Sequence, residues 1–181
     1  ISDLTTSQLE ARRLAGQRAI ERESELVAKP VASSAAVPLS VTKIDEVQSI
    51  LDRAIEDDIA DLVRERKTES KSPPERIQWL VVTLPCVDKD CVVGKFVTWS
   101  DPGTMASRKA GKPVDKPPAT VPDETKLGAL KAKLADGTKN GDVRQAKVDG
   151  GAIYGMPMIA AGRVEGQLWM SVSTKELDEQ L

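Results

Sequence analysis

The sequence contains no histidine, and that absence removes much chemistry. Without imidazole there is no Ser-His-Asp triad, no histidine general base, no histidine-ligated haem and no histidine-rich zinc site. Aromatic residues are scarce too, at 3% of the chain, with one tyrosine and one phenylalanine. The core must therefore be assembled from Val, Leu, Ile, Ala and Met, and it offers little surface for stacking a nucleotide. Charge of neither sign dominates. The net charge is −2, and Lys and Arg are interspersed with acids rather than gathered in a block, which argues against a nucleic-acid partner. No acidic cluster points to calcium or a polyamine. No Gly-rich phosphate loop or nucleophile motif is present, so neither an enzyme nor a bound cofactor is expected. No apolar run is long enough to span a bilayer.

Only two cysteines occur, Cys86 and Cys91 in "CVDKDC". With no third thiol and no histidine, this C-x4-C pair is a poor metal site and none is expected. Nor is the spacing that of a C-x-x-C redox motif. Two states remain, a local disulfide or two free thiols. The polar "VDKD" reads as a hairpin loop that places both sulfurs at facing strand ends. The disulfide is the expected state, and it implies an oxidising compartment.

What is present fits one domain of 181 residues with a sizeable core, 40% of the chain being apolar. Residues 1–40 carry good helix formers, with Thr6 or Ser7 as the cap and a break expected near Ala28–Lys29 ahead of Pro30. The small residues of "VASSAAVPL" permit a neighbour to approach closely. A second helix is expected over 41–68, capped by Thr42. Ile44, Val47, Leu51, Ile55, Ile59 and Leu62 form its apolar stripe, while Asp57, Asp58 and Asp61 lie on a solvated face.

After "KTESKSPPE" the period switches to two. "RIQWLVVTL" and "CVVGKFVTWS" read as a hairpin. "DVRQAKVDG", "AIYGMPMIA" and "RVEGQLWMSVS" read as three further strands in a meander. Residues 101–124 hold five of the eleven prolines and are expected to form an irregular covering loop. "TKLGALKAKLADG" makes a short helix, and 174–181 resumes helix. The expected fold class is α+β: a five-stranded antiparallel sheet, with the long first helix and the second helix packed on one face. Both ends of the chain fall inside helical patterns, which reads as a domain with flanking segments.

The order of these elements resembles the single Cache type of extracytoplasmic sensor domain, a PAS-like sheet behind a long amino-terminal helix. The resemblance is carried along nearly the whole chain by "SSAAVPLSVTKIDEVQSILDRA", by "IQWLVVT", and above all by "AIYGMPMIAAGRVEGQLWMSVSTKEL". That last stretch is similar to the family's P-hydrophobic-x-x-x-G-x-x-x-G-x-hydrophobic strand pair before an exit helix. The "CVDKDC" loop and the Pro/Lys-rich insertion depart from the pattern, the cysteine loop standing where the family usually has a D-x-x-G turn. The resemblance implies the periplasmic part of a chemoreceptor or sensor kinase, anchored by transmembrane segments on both sides. A periplasmic position also fits a disulfide.

Strand alternation, taken with the resemblance, nominates a ligand site. Val164, Gly166, Leu168, Met170 and Val172 share one face of the last strand and are expected on the helices. Glu165, Gln167, Trp169 and Ser171 face the loop-covered side. Ile77, Trp79, Val81 and Thr83 share a face, as do Val93, Lys95, Val97 and Trp99. A pocket is expected from Trp79, Trp99, Tyr154 and Met156, with Lys95, or else Arg144, as the cation for a carboxylate. Each tryptophan also reads as core, and Lys95 as a solvated surface lysine. The expected partner is a small carboxylate, such as acetate or propionate, or an amino acid. The other reading is a structural domain that forms a homodimer through its long helix.

Overall fold

The computed structural model of the protein describes residues 5–65, 76–134 and 143–173, with the side chains of 16–24 and 65 excepted. The expected exit helix over 174–181 and the last part of the second helix, 66–68, lie outside the described residues.

Helix α1 spans Thr6–Ser40. Thr5 caps it, one residue ahead of the expected position. The Thr5 hydroxyl accepts from Gln8 N at 3.3 Å and the Gln8 side chain accepts from Thr5 N at 2.9 Å, a reciprocal capping box. The break expected near Ala28–Lys29 does not occur, and the helix runs on through Pro30 and Pro38. Each proline removes one backbone donor, and its ring crowds the carbonyl four residues before it. Here tertiary packing outweighs that loss, because Ala28, Val31, Ala32, Ala35, Ala36 and Leu39 form a buried stripe against the sheet and the second helix.

The helix ends in a tight turn in which Thr42 takes φ 57°. Thr42 is thus the left-handed residue of the connection, not the cap of α2. Helix α2, Ile44–Glu65, opens with Asp45 and Glu46 in its first turn, where the helix dipole favours them. Val47, Leu51, Ala54, Ile55 and Leu62 are buried as the stripe predicts. No helix among the described residues is long and apolar enough to cross a membrane.

Asp58 corrects the reading of a solvated acidic face. Its side chain is only 1% exposed. One carboxylate oxygen, Oδ1, accepts from Arg76 Nε at 2.9 Å and pairs with the same guanidinium at 2.8 Å, while Oδ2 accepts from Ile77 N at 2.9 Å. The position follows Leu51 and Ile55 at helical spacing, so it belongs to the core-facing stripe. The carboxylate is tolerated there because an arginine and a backbone amide satisfy it.

Strands β1 (Ile77–Thr83), β2 (Phe96–Ser100), β3 (Arg144–Val148), β4 (Gly151–Ala160) and β5 (Arg163–Ser173) form one antiparallel sheet in the order β2-β1-β5-β4-β3. This is the expected PAS-like α+β architecture. Leu80, Val82, Tyr154, Met156, Met158, Leu168, Met170 and Val172 form the core with α1 and α2. Trp79, Val81, Trp99, Ile153 and Trp169 form a second core on the opposite face.

The stretch expected to be an irregular loop is more regular than that. Residues 102–109 form helix α3, Pro102–Lys109, because a proline in the first helical turn costs no hydrogen bond. The other four prolines of this stretch, Pro113, Pro117, Pro118 and Pro122, follow it. Helix α4, Glu124–Leu134, then lays Leu127 and Leu134 into the second core. The Asp123 side chain caps α4 by accepting from Lys126 N at 2.9 Å.

Candidate functional site

Which side chains meet on which face depends on register, and register here is set by bulges. The β4–β5 turn holds Ala161 at φ 50° and Gly162 at φ 76°, the left-handed pair that a two-residue hairpin favours. An uninterrupted ladder from that turn would set Tyr154 opposite Trp169. Instead the register shifts between Met158 and Ile159, and Tyr154 lies opposite Met170, with Gly155 opposite Trp169. A one-residue slip moves every side chain to the other face.

This overturns half of the expected pocket. Tyr154 is fully buried among the helix-side residues, and the Met156 side chain is buried there as well. Two further slips correct the face assignments. Ile77 belongs to the helix-side core because β1 shifts against β5 between Ile77 and Trp79. Val97 packs toward the helices because β1 shifts against β2 at Val82/Thr83.

Trp79 and Trp99 do face the covered side, but apart from each other's surroundings. Trp79 lines a shallow groove with Lys126, Leu130 and Lys133. Trp99 is enclosed by α3: its Nε1 donates to Thr104 Oγ1 at 3.4 Å, and the Arg108 guanidinium sits 4.9 Å above its ring. Lys95 precedes β2, is exposed, and serves through its carbonyl, which accepts from Leu84 N at 2.8 Å. The five nominated residues therefore do not come together.

A different set does. Cross-strand neighbours share a face, so Arg144, Gly155, Trp169 and Val81 form one row across β3, β4, β5 and β1. Pro157, Gln167 and Thr83 form a parallel row beside it. These rows floor a cleft of about 340 Å³. Its walls are two short segments, Leu84–Pro85–Cys86 and Val92–Val93–Gly94, and its roof is Lys131 and Leu134 of α4. Met156 borders the cleft as part of β4, although its side chain points to the helices. Arg144, the alternative cation of the sequence reading, is at this site.

The walls are held together by chemistry that is partly legible in the sequence. Cys86 and Cys91 are joined in a disulfide, with Cα atoms 5.5 Å apart. Lys131 Nζ donates to Val92 O at 2.6 Å and ties the far wall to α4. Trp169 Nε1 donates to Thr83 Oγ1 at 2.9 Å and locks the indole flat against the floor. Gly155 makes room between them: a Cβ there would lie 3.3 Å from both Leu134 Cδ1 and the Trp169 ring.

The lining combines Leu84, Val92, Val93, Leu134 and Trp169 with the polar ends of Thr83 and Gln167 and two cations. Among the described residues no carboxylate lines it. The cleft thus sets two cations beside an apolar lining, and its volume is at the lower end of the size range of small-molecule sites.

The sequence contained part of this. The "DG" turn at 149–150 pairs Arg144 with Gly155 by simple counting. Lys131 and the wall segments depend on how α4 and the cysteine loop fold over the sheet, which no local pattern encodes. The sequence matches no protein-family model and no curated protein.

Proposed function

We propose that this domain is the periplasmic ligand-binding module of a transmembrane receptor, a chemoreceptor or a sensor kinase, and that it takes a small organic acid into the cleft between Arg144 and α4. The observation that carries the reading is a covered cleft on a PAS-like sheet, lined by two cations and no carboxylate among the described residues. The disulfide in its wall suits an oxidising compartment. The resemblance of the element order to single Cache sensors supports the same assignment.

Signalling on this reading is a population shift. A ligand that touches floor, walls and α4 together favours the conformation in which they close on it. The floor includes the central strand β5, whose last residue, Ser173, donates its amide to Arg76 O at 2.7 Å. Arg76 in turn is paired with Asp58 of α2. Movement of β5 is therefore passed to α2 through that buried contact and to whatever follows residue 173.

Thermal unfolding with a panel of short carboxylates and amino acids tests the reading. A cognate acid raises the melting temperature by an amount that grows with the logarithm of its concentration above Kd, and Arg144→Gln removes the rise. A flat response across the panel rejects ligand sensing in this cleft.

One observation favours a second reading, a domain that pairs chains through α1. Leu9, Leu14 and Leu26 are exposed on the part of α1 ahead of its packed stripe. Sedimentation equilibrium decides it: a monomer up to high concentration rejects pairing through α1.

A further inference from the structure

Among the described residues, some basic ones are held by acids, and others, including the two cations of the cleft, are not. Arg108 is paired with Asp52 at 2.8 Å, Lys109 with Glu56 at 2.7 Å and Arg76 with Asp58. Among the described residues, Arg144 and Lys131 have no acidic partner and no carboxylate lines the cleft they share. They also come from different layers. Arg144 stands on edge strand β3 in the floor, and Lys131 stands on α4 in the roof. Leu134, Trp169 and Val93 line the same cleft and give it an apolar surface.

We infer that the cleft selects an anion charged at both ends, a short aliphatic dicarboxylate that bridges Arg144 and Lys131. The inference rests on the ligand-binding reading above and narrows it. A guanidinium presents a planar fork that matches one carboxylate bidentately. Lys131 spends one N–H on Val92 O, and the ammonium keeps two further donors for a second carboxylate. The methylene chain lies on that apolar surface. A monocarboxylate such as acetate satisfies one cation and leaves the other without a counter-charge. An inorganic dianion such as sulfate brings charge but nothing for Leu134 and Trp169 to cover. Because floor and roof each hold one end, this ligand also draws α4 toward β3.

The test is calorimetric titration of the protein with succinate, glutarate, butyrate and sulfate at low ionic strength. A dicarboxylate is expected to bind at least about tenfold more tightly than butyrate, since each charge-assisted contact is worth about that factor. Arg144→Gln and Lys131→Gln are each expected to weaken the dicarboxylate by about tenfold. Butyrate, with one charged end, should respond to only one of the two substitutions. Unchanged melting of both variants shows that they still fold. Butyrate binding as well as the dicarboxylates overturns the bridge and leaves an organic-acid sensor standing. So does dicarboxylate binding that neither substitution weakens. Binding of sulfate alone overturns the bridge, and no binding by any of the four removes the sensor reading with it.

Discussion

Gly155 lies directly opposite Trp169 in the β4–β5 ladder, and a Cβ at Gly155 would stand 3.3 Å from the indole and 3.3 Å from Leu134. That contact is tight enough that any side chain must displace one neighbour or enter the cleft. Gly155→Val is expected to do both, filling the space beside Arg144 and costing about 1–3 kcal/mol through overpacking. Urea unfolding reads the stability, and titration with an organic acid reads the cleft. A valine variant that binds as the parent does would place the ligand elsewhere.

The disulfide joins the two wall segments of the cleft. Cross-linking so short a loop contributes about 2 kcal/mol in the chain-entropy account. The double variant Cys86→Ser/Cys91→Ser should lose about that much stability. Its larger signature is local. Amide exchange over residues 84–94 should quicken, while the core strands β1 and β5 stay protected. Uniform acceleration across the sheet would mean that the bridge serves the whole fold rather than the wall.

Most of the fold was readable because its signals are periodic. The α2 stripe, the alternation in β1 and β5 and the Asp149–Gly150 turn each come from local chemistry. The candidate site was less readable because alternation assigns faces only within an uninterrupted strand. One extra residue near Glu165 reversed Tyr154 relative to Trp169, and no propensity marks where a bulge falls. Asp58 was misread for a different reason. Residue type outweighed position, although its spacing from Leu51 and Ile55 placed it on the buried stripe. Lys131 and Trp79 were beyond local reading, since α4 determines what each of them meets.

Asp58 and Arg76 form the most buried ion pair described, with side chains 1% and 10% exposed. Removing one partner leaves the other charged and enclosed, so Asp58→Ala or Arg76→Ala should cost about 3–5 kcal/mol. The double variant Asp58→Leu/Arg76→Met replaces both charges with apolar volume and should recover most of that loss. Ile77 N loses its acceptor whenever Asp58 is replaced, the double variant included, which keeps the recovery incomplete. The measurement is a double-mutant cycle by urea unfolding, with Asp58→Leu and Arg76→Met as its single variants. Strictly additive losses would show that the two charges do not depend on each other.

Ala161 occupies the left-handed region at φ 50°, beside Gly162 at φ 76°, in the turn that joins β4 to β5. Alanine pays for that conformation with a Cβ clash that asparagine tolerates better. Asn-Gly is moreover the preferred pair of a two-residue hairpin. Ala161→Asn should therefore stabilise the domain by about 0.5–1 kcal/mol, read as a higher urea midpoint with an unchanged slope. Because the turn sets the start of the ladder and the bulge sets its parity, the substitution should leave Tyr154 opposite Met170. Nuclear Overhauser contacts between those two strand positions check this. A stabilised variant that loses them would show that the turn, and not the packing of Tyr154 under α1 and α2, decides which face the tyrosine takes.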